Sequence, residues 1–177
     1  GNLVITKAGG SVKTNSALDL QGNFTTSSST SVFNSNGKYI KIEGNFTNNA
    51  GGTTFTNTTG GTLEFNGSSA QTYTQGSSNL DLNNVKINNI LGNVSLNSVM
   101  RMSGTLTMTS GLLTTTSANI LTLLPGAVST VGSSASASYV NGPMKIQKNT
   151  SGSSVLNFPI GKSPDCRPFS LTVNHSN

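Results

Sequence analysis

The amino-acid sequence predicts an all-β protein, folded as a right-handed parallel β-helix whose coils are about 22 residues long. Residues 22–25, Gly-Asn-Phe-Thr, recur unchanged as residues 44–47, a shift of 22 positions. Ser, Thr, Asn and Gly make up about half of the 177 residues, whereas only 8% are charged. This composition favours strands and tight turns over long helices. An unchanged repeat of this length indicates units that stack and bury their apolar faces against one another.

Pairs of apolar residues, each separated by one polar residue, recur about every 20 to 23 positions. Such alternation predicts a short strand with its apolar side chains inside and the intervening polar side chain in solvent. A disordered chain of similar composition would lack these pairs. In chain order they are Leu18/Leu20, Ile40/Ile42, Leu63/Phe65, Leu80/Leu82 with Val85/Ile87, Met100/Met102 and Leu121/Leu123.

Stacked coils place equivalent residues above one another, so the repeat predicts ladders of like side chains. The asparagines are expected to share side-chain amide hydrogen bonds, and the phenylalanines to form a core ladder. An antiparallel sandwich also has short strands but would not explain whole turn sequences that repeat in register. The right-handed prediction rests on the chirality of parallel crossovers. The ladder residues are Asn23, Asn45, Phe24, Phe46, Leu18, Leu20, Ile40 and Ile42.

The repeating pattern of apolar pairs ends near residue 132. Residues 1–132 are predicted to form about six coils, and residues 133–177 a β-rich cap or the start of a following β-module. Residues 132–138 are a Gly/Ser/Ala tract typical of a turn or linker. All five prolines lie in the last third of the chain, and proline is avoided inside a strand ladder. A cap is expected because a last coil exposes apolar core and unpaired strand edges.

Charge and cysteine content narrow the function classes. The ten basic and five acidic residues give a net charge of +5 without a basic cluster, and there is no tryptophan. A nucleic-acid interface needs a basic stripe with interleaved aromatics, so no nucleic-acid partner is predicted.

Cys166 is the single cysteine, which excludes an internal disulfide. No apolar stretch approaches the roughly 18 residues of a membrane span. Because the chain starts at Gly1 without a methionine or signal peptide, we expect a mature or excised segment of a secreted protein.

Few residues are suited to catalysis. The only histidine, His175, is the third residue from the end of the chain, where side chains are commonly solvated. Asp19, Glu43 and Glu64 could approach one another on adjacent coils, as a glycosidase or polysaccharide lyase requires of its carboxylates. Their alternating positions instead favour solubilising surface charge. Without a tight carboxylate loop for calcium, the sequence predicts no enzyme activity, no cofactor and no metal.

Two further groups of residues were candidate contacts. Lys162 and Arg167 could contact acidic sugars, or could hold loops by bonding backbone carbonyls. Thr105, Thr107 and Thr109 alternate on one predicted strand, and a flat threonine face could order water as an ice-binding solenoid does. That would need the same motif on many successive coils, and the other threonine runs are not in matching register.

The last part of the chain resembles a known group. Residues 139–143 (Tyr-Val-Asn-Gly-Pro), 158–162 (Phe-Pro-Ile-Gly-Lys) and 167–168 (Arg-Pro) resemble a pattern that follows the Thr/Ser/Asn-rich repeats of very large adhesin-like surface proteins of Bacteroidetes. Residues 104–114 are similar to the repeats of that group, and the resemblance covers roughly residues 90–173. It implies an extracellular, cell-surface protein, commonly exported by the type IX secretion route, although the C-terminal signal of that route is not evident here.

Together these observations predict a non-catalytic structural and adhesive segment, a rigid stalk or display rod. Its expected partners are glycans, cell or abiotic surfaces, and secretion machinery or other surface proteins. The alternatives are a polysaccharide-active or carbohydrate-binding β-helix and, less favoured, an ice-binding solenoid. Clustered carboxylates in one groove would favour the enzyme, whereas a broad uncharged polar face would favour binding.

Overall fold

The computed structural model describes residues 1–7, 9–27, 30, 32–49, 51, 54–57, 60–76, 79–130, 138–148 and 152–175, with only the backbone of His175. Within these residues the chain forms strands and turns and no helix. The predicted parallel β-helix is confirmed, and the antiparallel sandwich is wrong for the repeat region. Successive coils are in register at the repeat length, with Leu18 opposite Ile40 and Phe24 opposite Phe46.

Three faces surround the core, and each coil visits them in the same order. The first face is one sheet, sheet 1, which runs the length of the molecule. Its strands in spatial order are β1 (Leu3–Ile5), β4 (Phe24–Thr26), β7 (Phe46–Asn48), β10 (Gln71–Gln75), β13 (Val94–Leu96), β16 (Leu113–Thr114), β19 (Val140–Asn141), β22 (Ile160–Lys162) and β23 (Asp165–Cys166). The first eight pair in parallel, and steps of about 4.8 Å between them make this parallel part about 34 Å long.

The second face is divided between two short sheets. Sheet 2a contains β2 (Ser11–Lys13), β5 (Val32–Asn34) and β8 (Phe55–Thr56). Sheet 2b contains β11 (Asp81–Leu82), β14 (Met100–Met102), β17 (Leu121–Leu123) and β20 (Met144–Ile146).

The third face is the six-stranded sheet 3, which corresponds to the six coils predicted. Its strands are β3 (Leu18–Leu20), β6 (Tyr39–Ile42), β9 (Thr62–Phe65), β12 (Asn84–Asn88), β15 (Thr105–Ser110) and β18 (Val128–Ser129). All neighbouring strands in it are parallel.

The core is a set of inward columns with aromatic side chains near the N-terminal end. Phe24 and Phe46 are fully buried and stack at 5.3 Å between ring centroids, and Tyr73 continues the stack at 5.3 Å from Phe46. Phe55 packs edge-on against both phenylalanines. Burying each such ring stabilises the fold by about 1.5–3 kcal/mol. In sheet 3 the inward positions hold mainly aliphatic residues together with the aromatic Phe65, and the predicted pair Ile40 and Ile42 is fully buried.

Strand pairing changes from parallel to antiparallel near the C-terminal end. Strands β21 (Gly152–Phe158) and β24 (Phe169–His175) form an antiparallel pair, with the rings of Phe158 and Phe169 stacked at 4.7 Å. The Ser129 hydroxyl donates to the Asn157 carbonyl, which joins this pair to the end of sheet 3. Sheet 1 meanwhile continues past residue 132 through β19 and β22. Most of the Gly/Ser/Ala tract lies outside the described residues, and the division at residue 132 stays a prediction.

Candidate functional site

Four charged residues of alternating sign occupy one outward column of sheet 3. Asp19 is in register with Lys41, Lys41 with Glu64, and Glu64 with Lys86. The ammonium of Lys41 lies 3.8 Å from a carboxylate oxygen of Asp19, and that of Lys86 lies 3.1 Å from one of Glu64. We call Asp19, Lys41, Glu64 and Lys86 the charged ladder. Its ion pairs join consecutive coils, because each links residues on adjacent strands.

Glu64 differs from the other members of the charged ladder because it is only 2% exposed. The Tyr39 hydroxyl donates to its Oε2 at 2.8 Å, and the Asn88 amide donates to its Oε1 at 2.8 Å. The prediction that Glu64 is a solvent-exposed charge is wrong. Its carboxylate does lie on the outer surface of the sheet, but the longer neighbouring side chains cover it.

The ionisation of this cluster fits a structural role better than proton transfer. Burial acts to raise the pKa of Glu64, but hydrogen bonds from Tyr39, Asn88 and Lys86 outweigh it and hold the pKa below its ordinary value. Burial, together with the bond to Glu64, raises the pKa of Tyr39 to about 12. A carboxyl that acts as a general acid near neutral pH needs a raised pKa, and a basic tyrosine needs a lowered one. Both shifts are opposite to what a carboxyl general acid and a basic tyrosine require.

The three acidic residues considered for catalysis are only partly brought together. Asp19 and Glu64 share the outward column but are two coils apart, about 9.6 Å along the sheet, with Lys41 between them. Glu43 follows the end of β6 and is exposed at the corner toward sheet 1. Lys41 on the line between Asp19 and Glu64 favours an ion-pair ladder over a glycosidase carboxylate pair.

The outer face of sheet 1 carries uncharged polar side chains from β4 onward, and the exposed Val4 on β1. The polar side chains alternate with buried residues and are half-buried or exposed. Register pairs and cross-coil hydrogen bonds arrange them in two columns along the long axis of the solenoid. The first column contains Asn23, Asn45, Thr72, Ser95, Thr114 and Asn141, and the second contains Thr25, Thr47, Thr74 and Asn97. We call these ten residues the uncharged face. Neighbouring groups lie about 4.8 Å apart between coils and about 6.6 Å apart along a strand.

The predicted asparagine ladder exists, but its hydrogen bonds differ from the expectation. The backbone N–H of Asn45 donates to Asn23 Oδ1 at 2.7 Å, and the N–H of Thr72 donates to Asn45 Oδ1 at 2.8 Å. The bonds therefore run from backbone to side chain, not between side-chain amides. A Cβ on Gly44 would lie 2.4 Å from Asn23 Oδ1, which explains why glycine precedes the repeated asparagine.

The threonines considered for an ice-binding row belong to sheet 3, the sheet of the charged ladder. Thr105 and Thr107 lie on the outer face of β15, but Thr107 is in register with Lys86 and so continues the charged ladder's column. The register shifts between Ile87 and Asn88, opposite the segment that contains Thr109. A run of three threonines in register, Thr25, Thr47 and Thr74, lies instead on sheet 1.

The candidate contacts of the C-terminal part lie near the β22–β23 pair. Lys162 is exposed and stands opposite Asp165, and the Arg167 guanidinium lies 2.9 Å from the Asp165 carboxylate. Arg167 is thus held by an acid, whereas the loop-holding alternative expected backbone carbonyls. Cys166 is half-buried. The side chain of His175 lies outside the described residues.

Two features are absent from the described residues. Among them no three His, Cys, Asp or Glu side chains are grouped so as to hold a metal ion. The same residues include no helix long and apolar enough to span a membrane. Comparisons with protein-family models, with curated proteins and with solved structures gave no match.

Proposed function

We propose that this chain is a structural and adhesive, non-catalytic segment of a large secreted or cell-surface protein. In this proposal the solenoid is a rigid rod, and the uncharged face of sheet 1 is its contact surface for glycans or other hydroxyl-bearing surfaces. The observation that carries the proposal is the alignment of uncharged hydroxyl and amide side chains in two columns across successive coils.

Rigidity is supported by bonds that cross from coil to coil. The ion pairs Asp19–Lys41, Glu64–Lys86 and Asp81–Arg101 each connect neighbouring strands of one sheet. On sheet 1 the asparagine ladder adds side-chain bonds to the backbone ladder. A stack whose first five coils are held together in this way resists bending and local opening, which suits a stalk.

The chemistry of the uncharged face suits neutral sugars. Hydroxyl and amide groups both donate and accept hydrogen bonds, as sugar hydroxyls do. Each exposed bond contributes little because water competes for it. A column that repeats at every coil offers many equivalent bonds to an extended chain, so weak contacts accumulate. The resemblance to Bacteroidetes surface proteins supports an extracellular location and the type IX route as parts of the same proposal.

A glycan array tests the adhesive role. Wild-type protein, an unrelated solenoid and two lysine variants are compared at equal concentration. Thr47→Lys places a long cation in the uncharged face, and Thr107→Lys is the matched control on sheet 3, where the column already holds Lys86. The expected result is selective binding to neutral glycans that Thr47→Lys weakens at least tenfold and Thr107→Lys leaves unchanged. Folded wild-type protein that binds no glycan, or equal loss in both variants, contradicts the proposal.

Ice binding is a second candidate function, because the uncharged face has the regular two-dimensional spacing that an ordered water layer requires. The same two variants decide it in an ice-recrystallisation assay. Ice binding predicts inhibition of crystal growth by the wild type and by Thr107→Lys, and its loss in Thr47→Lys. Ice crystals that coarsen equally with and without the wild-type protein exclude it.

A further inference from the structure

We propose that a hollow on the outer face of sheet 3, separate from the uncharged face, binds a single neutral sugar ring. The hollow has a volume of about 250 Å³ and is lined by Ala17, Leu18, Asp19, Tyr39 and Lys41. It lies on β3 and β6, at the N-terminal end of the sheet. Small-molecule sites typically occupy about 300–1,000 Å³, so this volume suits one ring and not a longer oligosaccharide.

The hollow exists because a small residue stands beside an aromatic one in the same outward column. Leu18 pairs with Ile40, so the residues before them, Ala17 and Tyr39, are neighbours across the two coils. On its other side Tyr39 is in register with Thr62. The methyl group of Ala17 is too short to cover the tyrosine ring, which therefore forms one wall of the hollow.

The tyrosine ring is held in place before any ligand arrives. Its hydroxyl donates to Glu64 at 2.8 Å, and Glu64 is held in turn by Asn88 and Lys86. A wall fixed in this way loses little conformational entropy when a ligand stacks on it, which favours affinity. Through this hydrogen bond, the buried carboxylate of Glu64 positions the Tyr39 ring that lines the hollow.

The chemistry around the hollow indicates a neutral sugar. An aromatic ring and the methyl group of Ala17 suit the apolar C–H face of a pyranose. At the rim the Asp19 carboxylate can accept hydrogen bonds from two hydroxyls, and the Lys41 ammonium can donate to a third. The two charges lie 3.8 Å apart and offset each other, so neither an acidic nor a basic sugar is favoured.

An NMR titration tests the proposal on the whole chain. The probes are the methyl glycosides of glucose, galactose, mannose and N-acetylglucosamine, each added to isotope-labelled protein. At least one is expected to shift the signals of residues 17–19 and 39–41 with a dissociation constant of about 1 mM, typical of a single weak site. Signals of the uncharged face are expected to stay in place, which separates this site from the adhesive role.

Variants then locate the site. Ala17→Phe fills the hollow from an exposed position and is expected to weaken binding at least tenfold, whereas Ala118→Phe, another exposed alanine, is the matched control. Asp19→Asn keeps the volume but removes an ionic acceptor, and is expected to weaken binding about threefold to tenfold. No shift with any of the four glycosides overturns the proposal. So does binding that Ala17→Phe leaves intact while its amide spectrum remains that of the folded protein.

Discussion

The outer faces of sheets 1 and 3 belong to the same coils, yet they join those coils by different means. On sheet 3 the link is ionic, and the most buried member, Glu64, receives three side-chain donors, one from β6 and two from β12. On sheet 1 the link is neutral, and an asparagine carbonyl accepts the backbone N–H of the next coil. The ionic link depends on pH and salt, whereas the neutral link depends on neither.

Because of this difference, the bonds that stabilise the coils on sheet 1 add no charge to its outer face. The acceptor oxygens of the asparagine ladder are directed to the backbone, so the coils are joined while the face stays free of charge. Sheet 3 concentrates its charges in pairs and leaves little net field. Disrupting Glu64 is therefore expected to loosen the rod without changing the uncharged face, whereas disrupting Asn23 is expected to act on both.

The largest effect is expected for Glu64→Ala. It leaves the Tyr39 hydroxyl, the Asn88 amide and the Lys86 ammonium without their common partner. The free energy of unfolding is expected to fall by about 2–3 kcal/mol, less than for a fully buried pair because Lys86 keeps contact with water. Urea unfolding measures it. A loss below about 0.5 kcal/mol would mean that the cluster is an ordinary surface ion pair.

A smaller effect is expected for Asn23→Ala on sheet 1. The change removes the acceptor for the Asn45 N–H, which costs about 1 kcal/mol of unfolding free energy. Asn97→Ala is the matched control, because Asn97 is exposed and makes one longer bond, of 3.3 Å, to the Thr74 hydroxyl. We expect the control to stay within about 0.5 kcal/mol of the wild type. Equal losses in the two variants would show that the ladder bond adds nothing.

The sequence predicted the fold well where the coils have equal length. Between Thr25 and Thr47 the spacing is 22 residues, and the repeated tetrapeptide places them in register. The next partner of Thr47 is Thr74, 27 residues on. The turn between β9 and β10 is longer than the turn between β6 and β7. The run of threonines on sheet 1 therefore could not be recognised from a fixed repeat. The uncharged face was therefore predicted only as a composition and not as a set of residues.

Glu64 shows a second limit of reasoning from alternation. The polar position between Leu63 and Phe65 was correctly placed on the outer side of the strand, since both flanking residues are fully buried. Exposure is a separate property, because it depends on side chains from neighbouring coils. Tyr39 and Asn88 are 25 and 24 residues away from Glu64. No pattern local to β9 reports that they cover it.

The pH dependence of stability sharpens the contrast between the two sheets. The folded protein holds the pKa of Glu64 below its ordinary value of 4.5. The carboxylate therefore stabilises the fold fully above pH 4.5, and this contribution is lost as pH falls through the folded pKa. Thermal unfolding from pH 6 to pH 3 is expected to show a decline that is reduced in Glu64→Gln and retained in Asn23→Ala. Parallel curves for Glu64→Gln and the wild type would assign the acid sensitivity to other carboxylates.

The smallest effect is expected where the charged ladder is most exposed. Asp19 and Lys41 lie 3.8 Å apart, with side chains 61% and 43% exposed, and such pairs contribute about 0–1 kcal/mol. Asp19→Asn is therefore expected to change the unfolding free energy by at most about 0.5 kcal/mol, a difference that disappears at 1 M salt because the charges are screened. The same variant is expected to weaken binding in the hollow beside Tyr39. If Asp19→Asn destabilised the fold as much as Glu64→Ala, burial would not be what distinguishes the two ion pairs of the charged ladder.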